Sequence, residues 1–296
     1  GTNPSERLLM RLCRKSFLTL WSYANPYTEE GRRGGKGVGT ELADVLVVFG
    51  DDVLLFSDKH CEFRTDIAVD VAWPRWFKAA IAKSHNQLYG ALGAIRRNPG
   101  RIFLDGACTR PLPTQIPVGP NSRFHLIAVT RGSFDACRAH HEDHSGTHLV
   151  DTTVIGLAAH LKLPFTVGRL DPGKPFVHVL DEFSLEVLFR EFDTIVDFVE
   201  YLREREAFLT LPNLAVFAPG EEQLIAANVL NHARGGTGFL PPNAGTLPDF
   251  VSFDSSHYPT LVLGPEYKRK KAADRPSYVI DQLLERFITI GDPTLS

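Results

Sequence analysis

Cysteine is scarce in this 296-residue chain, and Cys13, Cys61, Cys108 and Cys137 are far apart with no C-x-x-C pair. That spacing suggests neither a disulfide scaffold nor an all-cysteine zinc site, and it suits a reducing compartment. Long apolar runs are also missing. No stretch of about 18 apolar residues exists to span a membrane, and the first forty residues are too basic and too interrupted to supply the apolar core of a signal peptide. These absences predict a cytoplasmic protein with no membrane partner. Two catalytic signatures are lacking as well. No G-x-S-x-G is present to raise an α/β-hydrolase nucleophile. The Gly-rich stretch "TEEGRRGGKGVGT" has neither the G-K-[ST] ending nor the preceding strand that a phosphate-binding loop needs. No internal repeat or low-complexity tract is seen.

What remains is an ordinary globular composition, 43% apolar and 23% charged, whose formal net charge of -3 hides a segregation. Between Trp73 and Arg101 stand Arg75, Lys78, Lys83, Arg96, Arg97 and Arg101 with no acid, whereas Asp171 to Glu206 holds ten acids against four bases. The basic stretch has the charge expected of a surface for a polyanion. It also has helical periodicity, with Phe77, Ile81, Leu88, Leu92 and Ile95 on one stripe from Pro74 to a stop at Pro99-Gly100. A helix is expected from Ser5, its cap, to about Tyr23. Strands are expected at 101–105 and 124–130, an irregular His-rich loop over 132–175, a strand at "FVHVLDEF", and a helix from a cap at Asp193-Thr194 to about Glu206. Further elements are a strand, turn and helix in "LAVFAPGEEQLIAANVLN" and a helix over 277–290.

The most informative stretch is "GTELADVLVVFGDDVLLFSDK". Its two runs, "DVLVVF" and "VLLFS", are apolar at almost every position, as in strands covered on both faces. Charged residues at their outer ends therefore need a reason. A two-residue Gly50-Asp51 turn sets Asp44 opposite Ser57. A four-residue loop, or an Asp51-Asp52 turn, sets it opposite Lys59. Either register puts Asp44, Ser57 and Lys59 on one face, and a three-residue loop would instead pair Asp44 with Asp58. Turn chemistry favours the first. The result is an acid and a lysine side by side, able to hold a divalent cation and to orient a water or offset charge on a phosphate.

At these residues the chain resembles the PD-(D/E)xK nuclease superfamily, in which one strand begins with Asp and the next carries (D/E)-x-K. Asp44 takes the first position and Lys59 the last, and Ser57 stands where the pattern has an acid. The layout is similar to that of nuclease-related-domain and restriction-type members, over about residues 5–131. The resemblance implies a restriction-endonuclease-like mixed sheet flanked by helices, within an α/β fold. It implies Mg2+ (or Mn2+) as cofactor and nucleic acid, DNA most naturally, as substrate, in a defence or DNA-processing setting. Its catalytic set would be Asp44, Ser57, Lys59 and Gln87. Metal would be held by Asp44, with Glu41, Asp58 or Glu6 completing the ligands, and phosphates by Lys83, Arg75, Lys78, Arg96 and Arg97. Lys83 and Gln87, four apart, share a helix face.

The expected organisation is a nuclease core over 1–131, the His-rich insertion over 132–175 and an α/β extension over 176–296. Within the insertion, "CRAHHEDHSGTH" spaces Cys137, His140, His144 and His148 like zinc ligands. It has no second cluster, and Glu142 and Asp143 intrude, which disfavours structural Zn2+. "DSSH", Asp254 to His257, holds triad-type residues in sequence without the spatial convergence a triad needs. The helix from Asp193 is amphipathic, a core element or at most a partner surface. Two rival readings stay open: a nuclease fold that binds nucleic acid or acts as a scaffold without cutting, and a protein-interaction domain. A homo-oligomer or a partner subunit is compatible with each.

Overall fold

The computed structural model describes residues 3–32, 36–142, 145–240, 248–265, 267–269 and 271–272, together with 283 and 286. The elements run α1 (Pro4–Trp21), β1 (Ser22–Ala24), β2 (Tyr27–Thr28), β3 (Thr40–Glu41), β4 (Val45–Phe49), β5 (Asp52–His60), α2 (Val69–Phe77), α3 (Lys83–Arg97), β6 (Ile102–Phe103) and β7 (Arg123–Arg131). They continue with α4 (Phe134–His140), β8 (Leu149–Ile155), α5 (Gly156–His160), β9 (Thr166–Arg169), β10 (Val177–Asp181), α6 (Glu182–Glu191), α7 (Ile195–Leu209), β11 (Ala215–Ala218), α8 (Glu221–Ala233), β12 (Phe250–Ser252) and α9 (His257–Leu263). The fold is α/β. Its main sheet has the order β1-β4-β5-β7-β10, with β1, β4 and β5 antiparallel and β7 and β10 parallel to β5 and β7. A second sheet, β12-β11-β8-β9, and a small one, β3-β2-β6, flank it.

The hairpin forms as its turn chemistry dictates. Phe49 pairs with Asp52 across Gly50-Asp51 and Val45 with Phe56, so the register that sets Asp44 opposite Ser57 is the one adopted. Gly50 takes φ 56°, a conformation open to glycine and needed at the first position of such a turn. Strands β4 and β5 are buried almost throughout because helices cover both faces. On one face α3 packs against β5 and β7. On the other, Phe198 of α7 meets Phe17 of α1 at 4.9 Å, Phe189 of α6 at 5.0 Å and Phe56 of β5 at 6.4 Å.

Several sequence expectations need correction. Helix α1 is capped by Asn3, not Ser5: Asn3 accepts from Glu6 N at 2.9 Å and Glu6 reaches back to Asn3 N, a capping box with Pro4 in the first turn. The basic helix begins at Val69, before Pro74, and passes through one wide π turn, Lys78–Ala82, that keeps Trp73, Trp76, Phe77 and Ile81 facing the core. Burial of those rings outweighs the usual cost of an internal proline. The strand expected at 101–105 is only two residues long and pairs outside the main sheet. Asp105 curls its carboxylate onto the Thr109 and Arg110 N–H groups and closes a turn there. Residues 132–175 are not irregular, since they supply α4, β8, α5 and β9. The chain also does not divide at 131 or 176: β10 belongs to the main sheet, and one apolar core runs from Leu9 to Leu261. Thr194 caps α7 by accepting from Asp197 N at 3.2 Å, as expected. The helix expected over 277–290 lies outside the described residues apart from 283 and 286.

Because Phe198 joins residues from both halves of the chain, its truncation tests this shared core. Phe198→Ala is expected to lower unfolding free energy by about 3–5 kcal/mol, read as a drop in the urea midpoint of a single transition. Two separate transitions would instead indicate halves that fold alone.

Candidate active site

Alternation along β5 sends Ser57 and Lys59 to the face covered by α3 and sends Asp58 to the opposite face. Asp44, just ahead of β4, is 3% exposed, and Lys59 Nζ stands 3.9 Å from its Oδ2. The same oxygen accepts the Asp58 backbone N–H at 2.6 Å. Ser57, fully buried, donates its one hydroxyl proton to Gln87 Oε1 at 3.1 Å, and its oxygen lies 3.2 Å from the Ser84 hydroxyl, which can donate to it. The structure therefore places Asp44, Ser57 and Lys59, the three residues that the hairpin count singles out, on one face, and it brings Gln87, which the resemblance implies, to Ser57. Ser84 is an addition that sequence reasoning missed, although its place one turn before Gln87 on the α3 face was a usable signal.

The electrostatics are those of a carboxylate short of positive charge. Burial raises the Asp44 pKa from 3.8 to about 6; Lys59 and the Asp58 N–H pull it down, while Glu41 and Glu6 push it further up. Those two acids are thus close enough to act on Asp44. Glu41 Oε1 accepts from Asn25 Nδ2 at 2.8 Å, and Glu6 belongs to the α1 capping box. No three carboxylates here bring ligand atoms within 4.8 Å of one another; among the described residues the one such group lies elsewhere. Asp58, weighed as a substitute ligand, turns away and gives both oxygens to Arg131 at 3.0 to 3.2 Å. No local twist carries it back, because Arg131 neutralises it at the end of the neighbouring strand.

The basic helix divides into two ends. Lys83 lies at the site end, where it and Lys59 both act on the Cys61 thiol, whose pKa is raised chiefly by burial. Arg75, Lys78 and Lys83 are exposed and have no carboxylate partner among the described residues. About 21 Å along the helix from Lys83, Arg97 pairs with Glu30 at 2.5 Å, Arg101 with Glu29, and Arg96 lies over the Phe124 ring at 5.6 Å. Arg96 and Arg97 thus have structural partners that the linear charge count could not reveal.

The His-rich stretch does not gather into a ligand set among the described residues. Cys137 Sγ donates to Thr147 O at 3.3 Å and His148 Nε2 meets the Ser133 hydroxyl at 3.0 Å, while the His140 and His141 rings meet edge to face. His144 lies outside the described residues. In "DSSH", His257 Nδ1 and Asp254 bond within their own exposed turn. Among the described residues no helix is long and apolar enough to cross a membrane.

No protein-family model, no curated protein and no solved structure matches this chain. The functional reading rests on the geometry of the site.

Proposed function

We propose that the protein is a divalent-cation-dependent nuclease of the PD-(D/E)xK kind, hydrolysing phosphodiester bonds in nucleic acid, most naturally DNA. The single observation that carries this is the buried Asp44 beside Lys59 at 3.9 Å, on one face with Ser57 and Gln87. The strand order around it supports the same reading: an opening helix, three antiparallel strands, a helix, then a strand parallel to the one bearing Lys59.

The donor set fits Mg2+ or Mn2+. Mg2+ keeps several waters and takes one or two carboxylates, so it does not require a closed ring of ligands. Asp44 would hold it directly, with Glu41 and Glu6 acting through water. The ion would supply charge neutralisation at the phosphate. Lys59, fixed by Asp44 and only partly exposed, can orient an attacking water or offset charge on the transferred oxygens. Gln87, held by Ser57 on the same sheet face, would help position the substrate, and Lys83 would add a phosphate contact.

The test is a nicking assay on supercoiled plasmid and on single-stranded DNA with EDTA-stripped protein. Cleavage restored by Mg2+ or Mn2+ in the wild type and absent in Asp44→Asn supports the proposal. A second reading, a nuclease fold that binds without cutting, is favoured by Ser57: the position facing Asp44 carries a hydroxyl committed to Ser84 and Gln87. In that case the wild type binds but never nicks, and Ser57→Glu gains cleavage.

The binding surface makes its own prediction. Lys83→Ala is expected to lower the slope of log K against log salt by about 1, whereas Arg97→Ala, removing a residue engaged with Glu30, leaves the slope unchanged. Fluorescence anisotropy of a labelled duplex at a series of salt concentrations reads both.

A further inference from the structure

Two buried strands of the main sheet each carry one histidine inside an apolar run, His125 in β7 and His178 in β10. His178 pairs in register with Ile127, two residues beyond His125, so the two rings share a face, 6.5 Å apart. Glu206 of α7 completes the group. One nitrogen of each ring and one Glu206 oxygen lie within 4.8 Å of one another, with His178 Nε2 4.0 Å from Glu206 Oε2. The histidines are 3% and 0% exposed, yet His125 Nδ1 and His178 Nε2 have no hydrogen-bond partner. Buried polar atoms nearly always have one. Two orphaned imidazole nitrogens facing a carboxylate are a ligand set waiting for a cation.

We propose that His125, His178 and Glu206 bind a transition-metal ion of the Zn2+ class, fastening α7 to strands β7 and β10. Two imidazoles and one carboxylate suit Zn2+ and leave a fourth position for water, whereas Mg2+ prefers oxygen donors. The surroundings already orient the first ring. Asp52 Oδ1 holds His125 Nε2 at 2.9 Å and Arg203 in turn holds Asp52, the carboxylate-histidine arrangement that leaves Nδ1 as the ligand atom. The second ring is less prepared. Arg205 Nη1 donates to His178 Nδ1 at 3.2 Å, so coordination at Nε2 moves the ring proton to Nδ1 and breaks that contact, while Arg205 keeps its paired bonds to Glu221 at 2.6 and 2.7 Å. The three ligand atoms must also draw inward to take bonds of about 2.0–2.2 Å. The Glu206 side chain, 40% exposed, provides the route from solvent. This site is distinct from the Asp44 site: His125 registers with Leu54 and so faces away from Lys59, and the seven residues from Asp52 to Lys59 span about 23 Å.

Equilibrium dialysis of Zn2+ against EDTA-stripped full-length chain tests it, with Co2+ absorption reporting the ligand geometry. The wild type is expected to bind an ion that Glu206→Gln loses by about 100-fold or more and that Asp52→Asn weakens by about 10- to 100-fold. Zn2+ should raise the melting temperature of the wild type and not of Glu206→Gln. Glu206 is half exposed, so this variant keeps the fold, which its metal-free melting curve verifies. A His140→Ala/His141→Ala double variant should bind as the wild type does. Wild-type affinity in Glu206→Gln, or loss of the ion in the His140/His141 variant, overturns the proposal.

Discussion

Lys59→Ala is expected to reduce cation-dependent cleavage by about 10²- to 10³-fold while duplex binding and fold persist, the size of effect seen when one preorganised charge is taken from a developing anion. The selectivity follows from position. Lys59 lies at the end of β5, its side chain is 24% exposed, and its tie to Asp44 spans 3.9 Å, so its removal leaves the core strands untouched, while the Asp44 side chain, 4% exposed, loses a compensating charge and the variant is expected to melt somewhat below the wild type. On the proposed reading, the phosphate contacts that would hold a duplex lie on the Arg75, Lys78 and Lys83 face. Loss of rate with unchanged affinity in a variant that still unfolds in one transition is the expected signature, measured as single-turnover nicking beside anisotropy and thermal unfolding. A parallel fall in binding would place Lys59 among the general phosphate contacts instead.

Asp44→Asn should separate function from stability in the opposite direction. The folded-state pKa of Asp44, about 6, lies above the value of 3.8 that describes the unfolded chain. Between those values the folded protein binds more protons than the unfolded one, so this group's contribution falls as pH rises from about 4 and is fully unfavourable above about 6. The difference corresponds to up to about 3 kcal/mol at pH 8. Asparagine keeps an oxygen for the Asp58 N–H and removes the buried charge. The variant is therefore expected to match or fall below the wild type in melting temperature at pH 4 and to exceed it at pH 8, while losing metal-dependent cleavage. Thermal unfolding at both pH values reads the crossover. A variant less stable than the wild type at pH 8 would show that the Lys59 pair outweighs the desolvation of Asp44.

The candidate site was legible in the sequence because a strand's period of two and a two-residue turn leave little freedom. Once Gly50-Asp51 forms the turn, Asp44, Ser57 and Lys59 must share a face; Gln87 was expected only through the family resemblance, and its contact with Ser57 needed the packing of α3 on β5. What the chain order could not reveal were the partners supplied from distant strands. Arg131 reaches Asp58 only because β7 runs parallel to β5 with Val129 beside Asp58, and Glu29 and Glu30 meet Arg101 and Arg97 only through the small side sheet. The second half was misjudged for a related reason. Strand β9 is only four residues long and β8 carries Asp151, Thr152 and Thr153 in its middle, so periodicity was weak, and it is sheet pairing that makes them strands. His125 and His178 were not singled out, although each is a lone histidine within an apolar run. Their convergence needed the parallel register of β7 and β10.

Binding of Mn2+ followed by the electron paramagnetic resonance of the free ion tests the central claim, that the Asp44 and Lys59 face is a cation site for phosphate chemistry. The wild type should take up an ion that Asp44→Asn does not, and Ser57→Glu, which restores a second carboxylate beside Asp44, should bind it more tightly. Superimposable isotherms for the wild type, Asp44→Asn and Ser57→Glu would contradict the account.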